Sequence, residues 1–258
     1  MRQEDIDLPQ IAIDRRTTTT YGHSMNISGS TALVTGTSRG IGRHFVQQLQ
    51  ERGARKVYAT ARDAASIDLP GVEILQLDIT DPASVAAAAA AAPDVTLLIN
   101  NAGVTTGQNL VTGDLDKIRL EMDTHFYGTL AMVRAFAPSL AAGGGGGAIL
   151  NVLSRLSWLS YVGANAYSAS KAAEWSLTNG IRLELAEQGT LVTGLLLSST
   201  DTDMMAGWDI PKNDPADVVR AALDGIEAGQ LEVLADAETV EAKAALSRDP
   251  REVYGVLA

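Results

Sequence analysis

An apolar run, Thr31-Ala32-Leu33-Val34-Thr35, passes straight into Gly36-Thr37-Ser38-Arg39-Gly40-Ile41-Gly42 and then into a helix-forming stretch that ends near Arg52. No other segment constrains the fold as much. Glycines spaced G-x-x-x-G-x-G between a strand and a helix leave the backbone bare where the chain turns. A bare turn at a helix N-terminus suits a pyrophosphate, because the backbone approaches closely and the helix end carries partial positive charge. Gly36, Ser38, Arg39, Gly40, Ile41 and Gly42 are therefore candidate cofactor-binding residues.

The rest of the chain repeats the strand–helix alternation. Apolar runs at 31–36, 56–61, 72–77, 95–100, 147–153 and 191–197 predict strands. Amphipathic or apolar stretches at 41–52, 81–91, 112–141, 164–187 and 215–227 predict helices. Such alternation with right-handed crossovers gives an α/β fold: a doubly wound parallel sheet with helices on both faces, the Rossmann arrangement. One domain over residues 25–258 accommodates all of it. Residues 1–24 are polar and lack an apolar core segment, so they predict a disordered extension rather than a secretory signal, with Met25 as an alternative start. The alanines at 86–92 predict helix, the glycines at 143–147 a surface connection, and the tail from about Asp236 one or two short polar helices.

Composition narrows the function class. A net charge of −11 argues against nucleic acid and anionic membrane surfaces as partners. There are no cysteines, which excludes disulfides and thiolate metal sites and is compatible with a reducing, cytoplasmic setting. His23, His44 and His125 form no metal-ligand spacing, and no run of 18 apolar residues occurs. No metal and no membrane anchor are expected.

Three further segments carry chemistry. Leu97-Leu98-Ile99 runs into Asn100-Asn101-Ala102-Gly103, placing small polar residues at the carboxyl edge of the sheet, where ligands bind in open α/β folds. Ile149-Leu150-Asn151-Val152-Leu153 ends on Ser154. Tyr167 and Lys171 stand four residues apart in a predicted helix, so both project from one face. A phenol ordinarily ionises near pH ~10. A neighbouring ammonium favours the phenolate, which would bring a tyrosine toward acid–base work at neutrality.

Gly36 to Gly40 also spells G-x-S-x-G, the turn that presents a nucleophilic serine in α/β-hydrolases. That turn should follow several strands, with an acid and then a histidine downstream. Only one strand precedes Ser38, and no HGGG-like oxyanion segment occurs. The four segments together resemble instead the short-chain dehydrogenase/reductase family of single-domain, ~250-residue enzymes. The matching motifs are T-G-x-x-x-G-x-G (Thr35 to Gly42), N-N-A-G (Asn100 to Gly103), Ser154 and Y-x-x-x-K (Tyr167 to Lys171), over about residues 27–235.

The resemblance implies reversible hydride transfer between a nicotinamide cofactor and a carbonyl/alcohol pair. Tyr167 would be the acid–base group, Ser154 would bind the substrate oxygen, and Lys171 would tune Tyr167 and bind the nicotinamide ribose. It also implies cofactor contacts from Asn101, Ala102, Gly103, Asp78 (adenine) and Thr202 (carboxamide). Where members that use NAD carry an acid at the end of the second strand, this chain has Ala61 followed by Arg62. Arg62 and Arg39 suit the 2′-phosphate of NADP, so NADP is expected over NAD. Asp63 is expected to point away as a helix cap.

Two positions depart from the family pattern. His125 stands where many members have an Asn that holds a water linking the catalytic Lys to solvent; a histidine able to titrate near neutrality would keep the relay in altered form or weaken it, and the alternative is a partly buried side chain that only fills the space. Leu197-Ser198 replaces Pro-Gly after the sixth strand and would put a side chain near the nicotinamide. These departures keep open a second reading, a cofactor-binding regulatory or scaffold protein without turnover. Met204, Met205 and Trp208 are expected in a lid over the pocket, with Trp158, Leu159 and Tyr161 as its other wall or as core packing. Ala172, Trp175, Leu177, Ile181 and Leu185 form an apolar face in the helix of Tyr167, which predicts a homodimer or homotetramer.

Overall fold

In the computed structural model, which describes residues 24–142, 145 and 147–255, strands and helices alternate. They are β1 (Thr31–Thr35), α1 (Gly40–Glu51), β2 (Lys56–Ala61), β3 (Glu73–Gln76), α2 (Pro82–Ala91), β4 (Leu97–Asn100) and α3 (Leu115–Met122), then α4 (Thr129–Ala142), β5 (Ala148–Val152), α5 (Asn165–Glu184), β6 (Leu191–Leu196), α6 (Pro215–Glu227), β7 (Glu232–Leu234), α7 (Ala237–Ala244) and α8 (Pro250–Tyr254). Apart from Ser24, the expected N-terminal extension lies outside the described residues, as do Gly143, Gly144 and Gly146 of the glycine run.

All strand pairs are parallel, and the sheet order is β3-β2-β1-β4-β5-β6-β7. Strand residues alternate between two cores, which is why the strands read as continuous apolar runs. Ala32, Val34, Leu97 and Ile99 face one core with Phe45, Val46 and Leu49 of α1 and Val219, Leu223 and Ile226 of α6. Leu33, Leu98 and Ile149 face the other, with Val85 of α2 and Met132, Phe136 and Leu140 of α4. The i, i+3, i+4 spacing of these helical residues makes one buried stripe per helix. Asp81, Asp114 and Asp214 cap α2, α3 and α6 through their side chains, with proline at the first turn of α2 and α6.

Two sequence expectations are corrected. The helix predicted over 112–141 is two helices, joined by a π-helical turn, Asp123–Gly128. Thr124 donates its hydroxyl to the Leu120 carbonyl at 2.7 Å, and Gly128 passes so close to Ile79 that a Cβ would lie 2.9 Å from its side chain. The wider turn fits this crowding and places His125 inward. A seventh strand, β7, completes the sheet; with only Glu232, Val233 and Leu234 it has no legible apolar period. The connection between β2 and β3 carries a short 3-10 turn (Ala64–Ser66) and no α-helix. Among the described residues no helix is long and apolar enough to cross a membrane.

Candidate active site

The strand order reverses between β1 and β4, so their carboxyl ends open a crevice. Both predicted turns meet there. Gly36 and Gly40 have φ of +71° and +54°, a region that favours glycine. At Gly42 a Cβ would fall 2.1 Å from the Gly36 carbonyl oxygen and 2.6 Å from Asn101 Nδ2. Asn101 donates that amide to the carbonyls of Thr35 (2.9 Å) and Gly36 (3.0 Å). The backbone N–H groups of Asn101 and Ala102 both donate to Thr35 Oγ1 at 2.9 Å. The N-N-A-G segment thus pins the glycine turn in place. Asn101, expected as a cofactor contact, has its amide committed to this brace.

A buried polar chain fixes the second half of the site. Asn100 Nδ2 donates to Asn151 Oδ1, and Asn151 Nδ2 donates to Thr178 Oγ1 of α5, each at 2.9 Å. This ties α5, with Tyr167 and Lys171, to the ends of β4 and β5. The Lys171 ammonium lies 5.8 Å from the centre of the Tyr167 ring. It donates to the Val152 carbonyl at 2.8 Å and to Glu174 Oε2 at 2.6 Å. Ser154 caps a 3-10 turn, its Oγ accepting from Leu156 N at 3.0 Å, and its hydroxyl favours the Tyr167 phenolate. Ser154, Tyr167 and Lys171 therefore lie on one side of the crevice.

Electrostatics differ from the sequence expectation. Burial pushes the Tyr167 phenol above its ordinary value. Lys171 and the Ser154 hydrogen bond pull it down, while the carboxylates of Glu174 and Glu121 push it further up. The expected net lowering is absent because burial outweighs the pull of the Lys171 ammonium, which the Glu174 carboxylate opposes further. Glu174 is itself raised by desolvation, opposed by Lys171 and by a 3.0 Å hydrogen bond from Thr129 Oγ1.

His125 takes the buried alternative. It is 1% exposed, and burial followed by the Lys171 charge holds it well below its ordinary value, so it stays neutral rather than titrating near pH 7. Its Nε2 lies 2.8 Å from the Val104 carbonyl oxygen, which fixes the Nε2–H tautomer. Its ring meets the Tyr167 ring edge-on at 5.2 Å and packs beneath Gly103, where a Cβ would lie 3.0 Å away. His125 thereby links the Tyr167 side of the site to the N-N-A-G turn.

Comparisons with known proteins identify the family and agree with the fold. The family model for short chain dehydrogenase matches residues 30–212. The chain belongs to the short-chain dehydrogenase family. A sorbitol dehydrogenase of Cereibacter sphaeroides is 32% identical over 72% of this chain and 76% of its own. An L-xylulose reductase of Bos taurus is 30% identical over 80% and 84%, respectively. A solved short chain dehydrogenase of Burkholderia cenocepacia, in complex with NADP, is 40% identical with a TM-score of 0.85, covering 90% of this chain and 98% of that one. The seven-stranded parallel sheet is the architecture of these oxidoreductases.

The remaining candidates divide by position. Thr202 packs over the glycine turn: a Cβ on Gly40 would meet its methyl at 3.3 Å. Leu197 turns into the core, and the Ser198 hydroxyl accepts from Asn213 Nδ2 at 3.0 Å, so this departure from the family pattern is tied into the protein. Arg39 is exposed and lies 3.6 Å from Asp203 of the lid segment. Arg62 is exposed at the end of β2, beside buried Ala61. Asp63 caps the following 3-10 turn by accepting from Ala65 N, as expected. One Asp78 oxygen accepts from Thr80 N and Oγ1, which makes it a turn residue first.

Trp158 packs edge-on against Trp175 at 6.0 Å, with Lys243 over its ring, so it is packing and not a pocket wall. Met204, Trp208 and Ile210 are exposed in the lid segment. Ile181 is buried, and Leu177 and Leu185 pack against the second core, so much of the predicted docking face of α5 is intrachain. Glu174, Thr129 and Asn151 were missed by sequence reading. For Glu174 a signal was present: Lys171 and Glu174 have the i, i+3 spacing of a helical ion pair.

Proposed function

We propose that this protein interconverts a ketone or aldehyde and its alcohol with NADP(H), Tyr167 serving as proton donor in reduction and acceptor in oxidation. The observation that carries the reading is the convergence of Tyr167, Ser154 and Lys171 beside the braced glycine turn. The residues present fit a dinucleotide: a Cβ on Gly42 would fill the turn, and α1 begins there. Gly36, Ser38, Gly40, Ile41 and Gly42 would hold the pyrophosphate, and Ala102, Gly103 and Thr202 would flank the rest. A bound nicotinamide supplies or accepts the hydride at the carbonyl carbon.

The protein's own groups do the remaining work. Ser154 Oγ accepts from Leu156 N, so its hydroxyl proton is directed outward to Tyr167 or to a substrate oxygen. Tyr167 passes its proton to that oxygen as the hydride arrives. Lys171 spends two of its protons on Val152 and Glu174, leaving the third for a ribose hydroxyl.

NADP over NAD is supported by the absence of an acid at Ala61, by exposed Arg39 and Arg62, and by the NADP bound to the Burkholderia cenocepacia relative. Replacing both arginines with Ala is expected to weaken NADPH binding by about 1–3 kcal/mol, discounted for exposure, and NADH binding much less. Equal losses measured by titration with each cofactor would remove the 2′-phosphate assignment.

A homo-oligomer belongs to the same reading. Leu120, Tyr127 and Leu183 remain exposed on the segments around α3 to α5. A panel of carbonyl compounds assayed with NADPH and NADH tests the whole. Reduction with NADPH is the expected result. Tight cofactor binding without turnover on any member would favour the regulatory reading.

A further inference from the structure

Among the described residues, Glu174 is the buried acid that pairs with Lys171, the partner of the acid–base group. It is 1% exposed, 2.6 Å from Lys171 Nζ, hydrogen-bonded by Thr129 from a different helix, and 3.8 Å from His125 Nδ1. Because His125 carries its proton on Nε2, Nδ1 turns a bare lone pair toward this carboxylate and has no hydrogen-bond partner. The carboxylate is thus held by Lys171 and Thr129 and gains nothing from His125. A buried ion pair is a weak source of stability compared with apolar packing, so stability alone does not account for an acid here.

We propose that Glu174 is a positioning residue for the reductive direction: it closes an ion pair on Lys171 and so keeps Tyr167 in the phenol form that donates a proton. An unpaired ammonium beside a phenol favours the phenolate. Pairing it with a carboxylate cancels most of that pull, and the carboxylate adds its own repulsion of a second negative charge. The groups facing Tyr167 are Lys171 and Glu174 from α5, Glu121 from α3, His125 from the π-helical turn and Ser154 after β5. His125 is neutral and Glu121 is committed to Thr106, whose N–H and hydroxyl it accepts at 2.5 and 2.6 Å. That leaves the Lys171–Glu174 balance as the adjustable part. Reduction consumes a phenol proton and oxidation needs a phenolate, so this balance sets the pH range in which each direction runs.

The proposal rests on the reading of Tyr167 as the acid–base group, and the test separates the two. Tyr167 ionisation is read directly by ultraviolet difference titration of the full chain, with Tyr167→Phe as the blank, which requires no turnover. Glu174→Gln is expected to lower the pH of Tyr167 ionisation by about one unit or more, a tenfold or larger change in its acid constant. The pH profile of alcohol oxidation should move down by the same amount. Should the Gln variant fail to fold, Glu174→Asp withdraws the carboxylate from Nζ and is expected to shift the titration the same way by less. Unchanged Tyr167 ionisation in a folded variant overturns the proposal. A shifted titration with no turnover in any variant sustains it and counts against the enzymatic reading.

Discussion

Two tyrosine–lysine–carboxylate clusters sit at opposite edges of one sheet. At the amino edge, the Tyr58 hydroxyl accepts from Lys56 at 3.1 Å and donates to Asp94 at 2.9 Å, while Lys56 and Asp94 are 3.0 Å apart. At the carboxyl edge, Lys171 pairs with Glu174, and the Tyr167 hydroxyl makes no bond to either. The chemical groups are the same (a phenol, an ammonium and a carboxylate), yet the outer cluster closes on itself. Its Lys and Asp side chains are about one-third exposed, whereas those of Lys171 and Glu174 are 5% and 2% exposed. Burial makes the inner charges strong, and the open phenol beside the glycine turn makes them usable. Position in the fold, more than composition of the cluster, separates a brace from a candidate active site.

The largest expected difference is in stability. Lys171→Met leaves Glu174 buried without its cation, which should cost about 3–5 kcal/mol. Lys56→Met in the exposed cluster should cost far less. Denaturant midpoints of the two variants check this, and equal losses would break the contrast.

A smaller effect concerns pH. His125 is held below the ordinary 6.5, so as pH falls through 6.5 the unfolded chain takes up a proton that the folded chain refuses. Stability should therefore fall as pH drops below that value, with a slope of at most about 1.4 kcal/mol per pH unit from this group. Glu174 is raised and acts in the opposite sense, so the informative quantity is the difference between the parent protein and His125→Asn. Melting curves from pH 7 downward should be flatter in the variant; identical slopes would mean His125 is not buried neutral. Smallest is Tyr58→Phe, which removes one hydroxyl from the outer cluster and should cost about 1 kcal/mol with activity unchanged.

Much of this was legible in the sequence because it depends on local pattern. The glycine turn, N-N-A-G, Ser154 and the Tyr167–Lys171 spacing each sit where a strand ends or a helix face turns inward. What was lost depends on contacts between distant residues. The acidity of Tyr167 was misjudged because its burial is not legible in the sequence, because Glu174 reads there as an ordinary helical acid, and because its environment includes Glu121 of α3. For His125 the sequence left titration and partial burial both open, since nothing in its neighbours foretells full burial beneath Gly103. The π-helical turn was invisible because the close approach it accommodates, Gly128 to Ile79, joins residues 49 positions apart. β7 was too short to show a period.

The central claim is that Tyr167, and not its counterpart Tyr58, moves the proton. Tyr167→Phe keeps the ring and its edge contact with His125 while deleting the hydroxyl. Steady-state turnover of a reducible carbonyl with NADPH should fall by about 10²-fold or more, the usual scale of a lost general acid, with cofactor affinity nearly unchanged. Turnover close to that of the parent protein would contradict the account.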